Sequence, residues 1–310
     1  MKMPTTLFFV VLLLVMNLRG VKESIKVLLP LFVGFIVTHI GFIVSGIILH
    51  SYNLPDLIPN TLADTQNTVA EVGWFGLFAL LLKAFAMGGG TYTGIEAVSN
   101  NMQILAEPRV RTAKATMLYL ALSLALMAAG LIVLYLIWDV KYVEGMTLNA
   151  ATFQLILAQI FPGEESLNHI ILLTTMFFAA ALLFVAANAG YLAGPAIMAN
   201  MARDDWLPHQ FTQLSSRLVT GNGMILMCIA AVLVLLFTQG EVHVLVVLYS
   251  INVFLTFSLS LWGLVRHWLS LWRRGSRRYV WPSLLLALTA ALVATGILCV
   301  TVVEKFAHGA

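Results

Sequence analysis

Eight long apolar runs divide the chain, and the short segments between them hold nearly all of its charge. A run of about 20 apolar residues crosses about 30 Å of hydrocarbon as a helix. Only helices and closed barrels satisfy their backbone polar groups there. The runs cover 4–18, 27–49, 74–105, 115–138, 169–201, 224–237, 242–265 and 281–303. They predict an all-α polytopic membrane protein of about eight transmembrane helices. Composition agrees: 60% of the 310 residues are hydrophobic and 10% charged, against about 25% charged in soluble domains. Cys228 and Cys299 both fall inside apolar runs and are expected to be small buried hydrophobes rather than a disulfide.

The runs 4–18 and 224–237 are short. The first has the basic start (Lys2) and apolar core of a signal peptide, but Asn17-Leu18-Arg19-Gly20 is not a small-residue cleavage site, so it is read as a span. The runs 74–105 and 169–201 are long and contain glycines, and each is expected to bend or to leave the membrane.

Charge placement supports the same map. Basic residues collect in loops on the cytoplasmic side. Alternate loops here hold Arg19, Lys22 and Lys26; Arg109, Arg111 and Lys114; Arg203 and Arg217; and Arg266, Arg273, Arg274, Arg277 and Arg278. That is thirteen of the seventeen Lys and Arg. The segment 50–73, which has no basic residue, falls on the opposite side and is read as an outer loop. Trp74, Trp138, Trp262 and Trp281 lie at or near span ends, where amphipathic rings form an interfacial belt. On this map the chain begins and ends outside. Helices missing upstream in odd number, and one more downstream, would repair that topology, so the sequence is expected to be an internal piece of a longer membrane protein.

The chemistry is expected in run 74–105. Its middle reads Lys83-Ala84-Phe85-Ala86-Met87-Gly88-Gly89-Gly90-Thr91-Tyr92-Thr93-Gly94-Ile95-Glu96. Each glycine weakens a helix by about 1 kcal/mol relative to alanine. Gly88, Gly89, Gly90 and Gly94 together allow the chain to unwind in mid-membrane. Unwound backbone at that depth is tolerated only inside protein or beside a watery cavity, where transporters use it to bind ions and solutes. Thr91, Tyr92 and Thr93 add hydroxyls, and Glu96 is either a carboxylate that carries a proton in such a cavity or a structural acid, bonded to a neighbouring helix or hydrated near the cytoplasmic end. The alternative for the glycines is close helix packing. Lys83, thirteen residues before Glu96, is about 20 Å from it along a continuous helix, too far for an ion pair. In run 169–201, Pro195 removes a backbone donor and is expected to kink the helix. Asn188 and Tyr191 there either face a pathway or hydrogen-bond a neighbouring helix.

The remaining features are less specific. Arg266–Arg278, interleaved with Trp268 and Trp272, suits anionic lipid headgroups. The net charge of +3 gives no reason to expect nucleic acid. His39 is read as a packed residue. No His/Cys/Asp/Glu cluster has ligand spacing, so no metal or cofactor is expected. No G-x-S-x-G, H-E-x-x-H or Walker A sequence points to an enzyme.

The string Gly94-Ile95-Glu96-Ala97 after a small-residue break resembles the sixth helix of amino acid–polyamine–organocation (APC) superfamily permeases. The fuller strings Leu82-Lys83-Ala84-Phe85 and Tyr92-Thr93-Gly94-Ile95-Glu96-Ala97-Val98-Ser99-Asn100 resemble the branch that includes KUP-type bacterial potassium importers. So do Asn17-Leu18-Arg19-Gly20-Val21-Lys22-Glu23-Ser24, Ala186-Ala187-Asn188-Ala189-Gly190, Ala202-Arg203-Asp204, Arg217-Leu218 and Gly221-Asn222-Gly223.

The resemblance implies a five-plus-five inverted-repeat (LeuT-like) fold. Residues 1–49 would end the first repeat, 74–265 would form the second, and 281–303 would be an additional helix. It places three helices before the chain and one after it. It also implies an ion-coordinating role for Thr93, with Glu96 beside it. The family's first and third helices, which supply much of the substrate site, have no counterpart here, so residues 1–310 alone are expected not to transport. The implied function is secondary active, proton-coupled uptake of an amino acid or of potassium across a bacterial inner membrane. Partners are then the solute, protons and membrane lipid, and a homodimer stays open. A non-transporting membrane module, such as a sensor or assembly partner, is the alternative.

Overall fold

The computed structural model describes residues 2–20, 25–89, 105–217, 219–274 and 277–307. Among them the chain forms helices and no strand. The α-helices are α1 (Lys2–Leu18), α2 (Ile25–Leu49), α3 (Leu54–Met87), α4 (Arg109–Ile137), α5 (Leu148–Ile160), α6 (Glu165–Arg203), α7 (Gly221–Thr238), α8 (Val242–Arg273) and α9 (Arg277–Ala307). Short 3-10 turns occupy Ser51–Asn53 and His209–Thr212. Seven helical segments among the described residues are long and apolar enough to cross a membrane, and α1 is a shorter apolar helix. The chain is therefore a multi-pass helical membrane protein, as its apolar runs predict.

Two segments expected as loops are helical. The stretch 50–73 carries α3 through Leu54 and on to Gly73, where the backbone turns to φ 74°, ψ 171° before the apolar half begins at Trp74. That left-handed value is one that glycine adopts without penalty. Hydropathy separates membrane from water, not helix from loop. The segment is too polar to cross the bilayer, and it is helical through Pro59 although Asn, Asp, Thr and Pro, which favour caps and turns, are frequent in it. The second is α5, which is too short to span. Its start is capped by Thr147, whose hydroxyl accepts the Ala150 N–H at 3.2 Å.

The helices group into two compact units, Met1–Leu62 with Gly94–Val234, and Ala63–Thr93 with Leu235–Ala310. In the first unit α5 is tucked into the core. Its Phe153, Ile156 and Leu157 pack with Phe42 of α2 and with Leu134 and Ile137 of α4. The Phe42 and Phe153 rings stack with centroids 4.2 Å apart. His39 lies in the same region, its ring 4.0 Å from that of Phe35 and edge-on to Phe153. It is a packed residue, as the sequence suggests.

In the second unit α8 and α9 run against one another over most of their length. Val265 of α8 packs with Leu284, Ala287 and Ala291 of α9. Further along, Phe254 packs with Ala294 and Ile297, and with Ala86 near the end of α3.

Candidate functional site

The α-helical part of α3 stops at Met87, and Gly88 and Gly89 continue as a tighter 3-10 turn. The helix thus ends where three glycines begin. Gly90, Thr91, Tyr92, Thr93, Gly94 and Glu96 lie outside the described residues. What the structure brings together is the near side of the glycine segment and one face of α8. The Ser250 hydroxyl lies 2.6 Å from the Ala86 carbonyl oxygen. Gly89 is buried against the same place. A Cβ there would stand 3.3 Å from Ser250 Oγ and 3.6 Å from Phe254 Cε2, whereas one on Gly88 would meet open space.

The two glycines thus serve different ends. Gly89 permits close approach to α8, whereas Gly88 has room for a side chain beside it. Ser250 is a residue that sequence reasoning missed. A hydroxyl inside the apolar run of α8 looks like any serine bonded back to its own helix, and nothing nearby in the sequence links it to residue 86.

Lys83, one turn earlier, is half-buried. It lines an apolar groove of about 540 Å³ with Phe75, Ala79, Cys299, Val300 and Val303. The groove runs between α3 and α9 within the second unit, so Lys83 faces another helix.

Asn188 belongs to the first unit. Its side-chain oxygen accepts from Asn17 Nδ2 of α1 at 2.5 Å, and the same Asn17 nitrogen lies 2.8 Å from the Leu13 carbonyl. Both amides are buried. One turn on, the Tyr191 hydroxyl donates to the Val10 carbonyl of α1 at 3.0 Å. Of the two uses the sequence leaves open for these residues, the structure shows the interhelical bond. It also joins several of the strings that carry the resemblance. Asn17 meets Asn188, and Gly20 lies against Arg217, with the Arg217 carbonyl oxygen 3.6 Å from where a Cβ would stand. Gly223 of α7 presses on Pro195 of α6, leaving only 2.9 Å between a Cβ placed on it and Pro195 Cβ. Strings far apart in the chain are thus one contact surface among α1, α6 and α7.

Ion pairs at exposed sites beside helix ends are Arg109 with Glu107 at 3.0 Å and Lys141 with Asp139 at 3.9 Å, and His209 Nε2 lies 3.2 Å from Asp205. No group of three His, Cys, Asp or Glu among the described residues could hold a metal ion. At the described end of α3, the contact with α8 is made by the Ala86 carbonyl and the Ser250 hydroxyl.

A multi-pass protein in which an apolar helix stops at a glycine run, with the Ala86 carbonyl beside it met by a neighbour's hydroxyl, has the features of a solute permease. The chain belongs to the amino acid permease family, whose model matches residues 3–307. This places it in the APC superfamily that its strings resemble. It is similar to the potassium transporter KimA of Bacillus subtilis (strain 168), with 29% identity over 308 residues, covering 98% of this chain and 47% of that protein. The chain spans about half the length of that relative.

Proposed function

We propose that this chain forms part of a secondary active permease for potassium ion, coupled to protons and working by alternating access between inverted repeats. The supporting observation is the end of α3 at Met87, immediately before the glycine and threonine string, in a chain of the permease family whose relative is a potassium transporter. In this reading the carbonyls of 88–90 and 94 and the hydroxyls of Thr91, Tyr92 and Thr93 coordinate the cation. A bare potassium ion needs several such oxygens to replace its water, and carbonyl rings do so in ion-selective sites. Glu96 carries the coupled proton, because a carboxylate in hydrocarbon holds its proton until a cavity hydrates it. Asn188 acts through its bond to Asn17, holding α6 to α1.

Amino acid uptake is the second reading, favoured by the family's own description. An amino acid's carboxylate would seek the N-terminal end of a half-helix, and its ammonium the freed carbonyls.

The two separate in one experiment. The coding region in its natural length is expressed in a bacterial host that lacks its own potassium uptake. Growth at low potassium, with saturable rubidium entry that falls when the proton gradient is collapsed, is the expected result. Amino acid entry without cation entry would move the assignment to the second reading. Neither, from protein shown to be in the membrane, would leave the non-transporting module.

The basic end of α8 fits the lipid partner. Arg266, Ser270, Arg273 and Arg274 line a depression of about 300 Å³, and the rings of Trp272 and Trp281 lie 6.0 Å apart beside it. Guanidinium groups at that level suit phosphate headgroups.

A further inference from the structure

The segment between α2 and the apolar half of α3 is too polar to cross the bilayer, so the chain leaves and re-enters the membrane on one side. Both ends of the segment must therefore lie at the same surface. Its start is held at the ends of α2 and α4. Asn53 Nδ2 donates to the Ile137 carbonyl at 3.0 Å, and Leu57 packs against the cluster that contains Phe42 and Ile137. Its end is Gly73, and the apolar half begins at once with Trp74. A helix over 54–72 standing upright would lift Gly73 about 28 Å from that surface, and Trp74 could not then enter lipid. The backbone instead turns a corner at Gly73, with φ 74° and ψ 171°. Gly76 leaves room for the corner, since a Cβ on it would stand 2.7 Å from Val72 Cβ.

The sides of this helix differ. At helical spacing, Leu54, Ile58, Leu62, Val69 and Val72 fall on one arc. Asp56, Asn60, Asp64, Asn67 and Glu71 fall on the opposite arc, and all five are exposed. Ile58 is 68% and Leu62 57% exposed, so the described residues leave most of both uncovered. At the corner the apolar arc runs on into the exposed surface of the span, where Phe75 is 86% exposed. Tyr52 and Trp74, both exposed, stand at the two ends of the helix.

We propose that residues 54–72 lie along the membrane surface as an amphipathic helix. The Leu54, Ile58, Leu62, Val69 and Val72 stripe sits among the lipid chains just below the headgroups, and the Asp56, Asp64 and Glu71 side faces water. The occupant of the stripe is the bilayer. Both ends of the helix are at its surface, the stripe is continuous with the span's exposed apolar side, and the flanking rings are of the kind that settle at an interface. The opposite roll would push three carboxylates into hydrocarbon, which is tolerated only where they find partners. Residues 50–73 hold no Lys or Arg, so the seating comes from apolar burial and not from attraction to anionic lipid. The inference concerns the membrane and not the solute, and it stands apart from the transport reading.

The test places single nitroxide labels on the protein in its natural length, with Cys228→Ala and Cys299→Ala, in phosphatidylcholine nanodiscs. One set is Ile58→Cys, Leu62→Cys and Val69→Cys, and the other is Asn60→Cys, Asp64→Cys and Asn67→Cys. Collision with oxygen, which dissolves in lipid, is compared with collision with a water-soluble nickel complex. The oxygen-to-nickel ratio is expected to be about threefold higher in the first set than in the second. Equal ratios at all six positions would put the helix in water and overturn the proposal. Poor access of both reagents to the labels at 58 and 62 would mean that protein covers the stripe, and would overturn it equally. Adding Ile58→Asn and Leu62→Asn to the Val69→Cys protein is expected to lower its ratio to that of Asn67→Cys. A ratio unchanged by that pair would show that the stripe does not seat the helix.

Discussion

Two long helices carry glycines in mid-span, and they behave differently. α6 runs unbroken from Glu165 to Arg203 through Gly190, Gly194 and Pro195, a length of about 58 Å. The α-helical part of α3 stops at Met87. In α6 three residues separate Gly190 from the pair Gly194-Pro195, and Asn188 and Tyr191 beside them are bonded to α1. The helix is held there by Asn17, Val10 and the contact of Pro195 with Gly223. In α3 three glycines stand side by side in the sequence, and just before them the Ser250 hydroxyl of α8 donates to the Ala86 carbonyl. Breaker residues alone do not decide where a membrane helix stops. What decides is whether the surrounding helices satisfy the continued helix or the interrupted one.

The largest effect is expected from making α3 resemble α6. Replacing Gly88, Gly89 and Gly90 together by alanine favours the continued helix by about 3 kcal/mol in intrinsic propensity. It also forces a methyl toward Ser250 Oγ at 3.3 Å. Rubidium uptake is expected to fall at least a hundredfold with the protein still in the membrane. Among the single variants, Gly89→Ala is expected to account for most of the loss and Gly88→Ala for little, since only Gly89 is crowded. Equal effects of the two would show that backbone freedom alone matters and would remove the distinction drawn between them.

Much of this was legible beforehand. The apolar runs gave the spans, because a bilayer imposes a length and an apolar character that can be counted. The glycine run gave the place where α3 stops. The strings around Asn17, Asn188 and Gly221–Gly223 gave the family. Three things stayed hidden for physical reasons. The helical character of 54–72 and of α5 carries no spanning signal, because the first is polar and rich in cap and turn residues and the second is short, with a threonine cap. The pairing of Asn17 with Asn188 spans 171 positions, and each amide alone is equally consistent with a pathway. Ser250 acts on a backbone carbonyl 164 positions away, and a carbonyl has no identity in a sequence.

A smaller effect is expected at the α1–α6 contact. Asn188→Leu leaves the buried Asn17 amide with its Leu13 bond but one N–H short of a partner, which costs about 1–3 kcal/mol. Interhelical bonds in membranes average about 0.6 kcal/mol in measured cycles, so the low end applies. The double replacement Asn17→Leu with Asn188→Leu is expected to recover part of the loss, because no orphaned amide remains. Thermal unfolding in detergent measures both. Uptake by any Asn188→Leu protein that folds is expected to stay within severalfold of the parent. A drop as deep as that of the alanine-filled α3, at unchanged stability, would place Asn188 on the pathway after all and would break the contrast between the two helices.

The smallest effect is expected at Pro195. In a soluble helix an internal proline costs about 3 kcal/mol, because it withholds an N–H and crowds the preceding turn. Pro195→Ala returns the donor that the Tyr191 carbonyl lacks. It also removes ring carbons from a fully buried position pressed by Gly223, at about 0.8 kcal/mol for each methylene lost. The two terms oppose one another, and stability is expected to change by less than about 1 kcal/mol. If uptake is likewise unchanged, α6 is a continuous support that tolerates its proline. If uptake collapses while the protein keeps its unfolding temperature, Pro195 is a hinge, and α6 moves during transport.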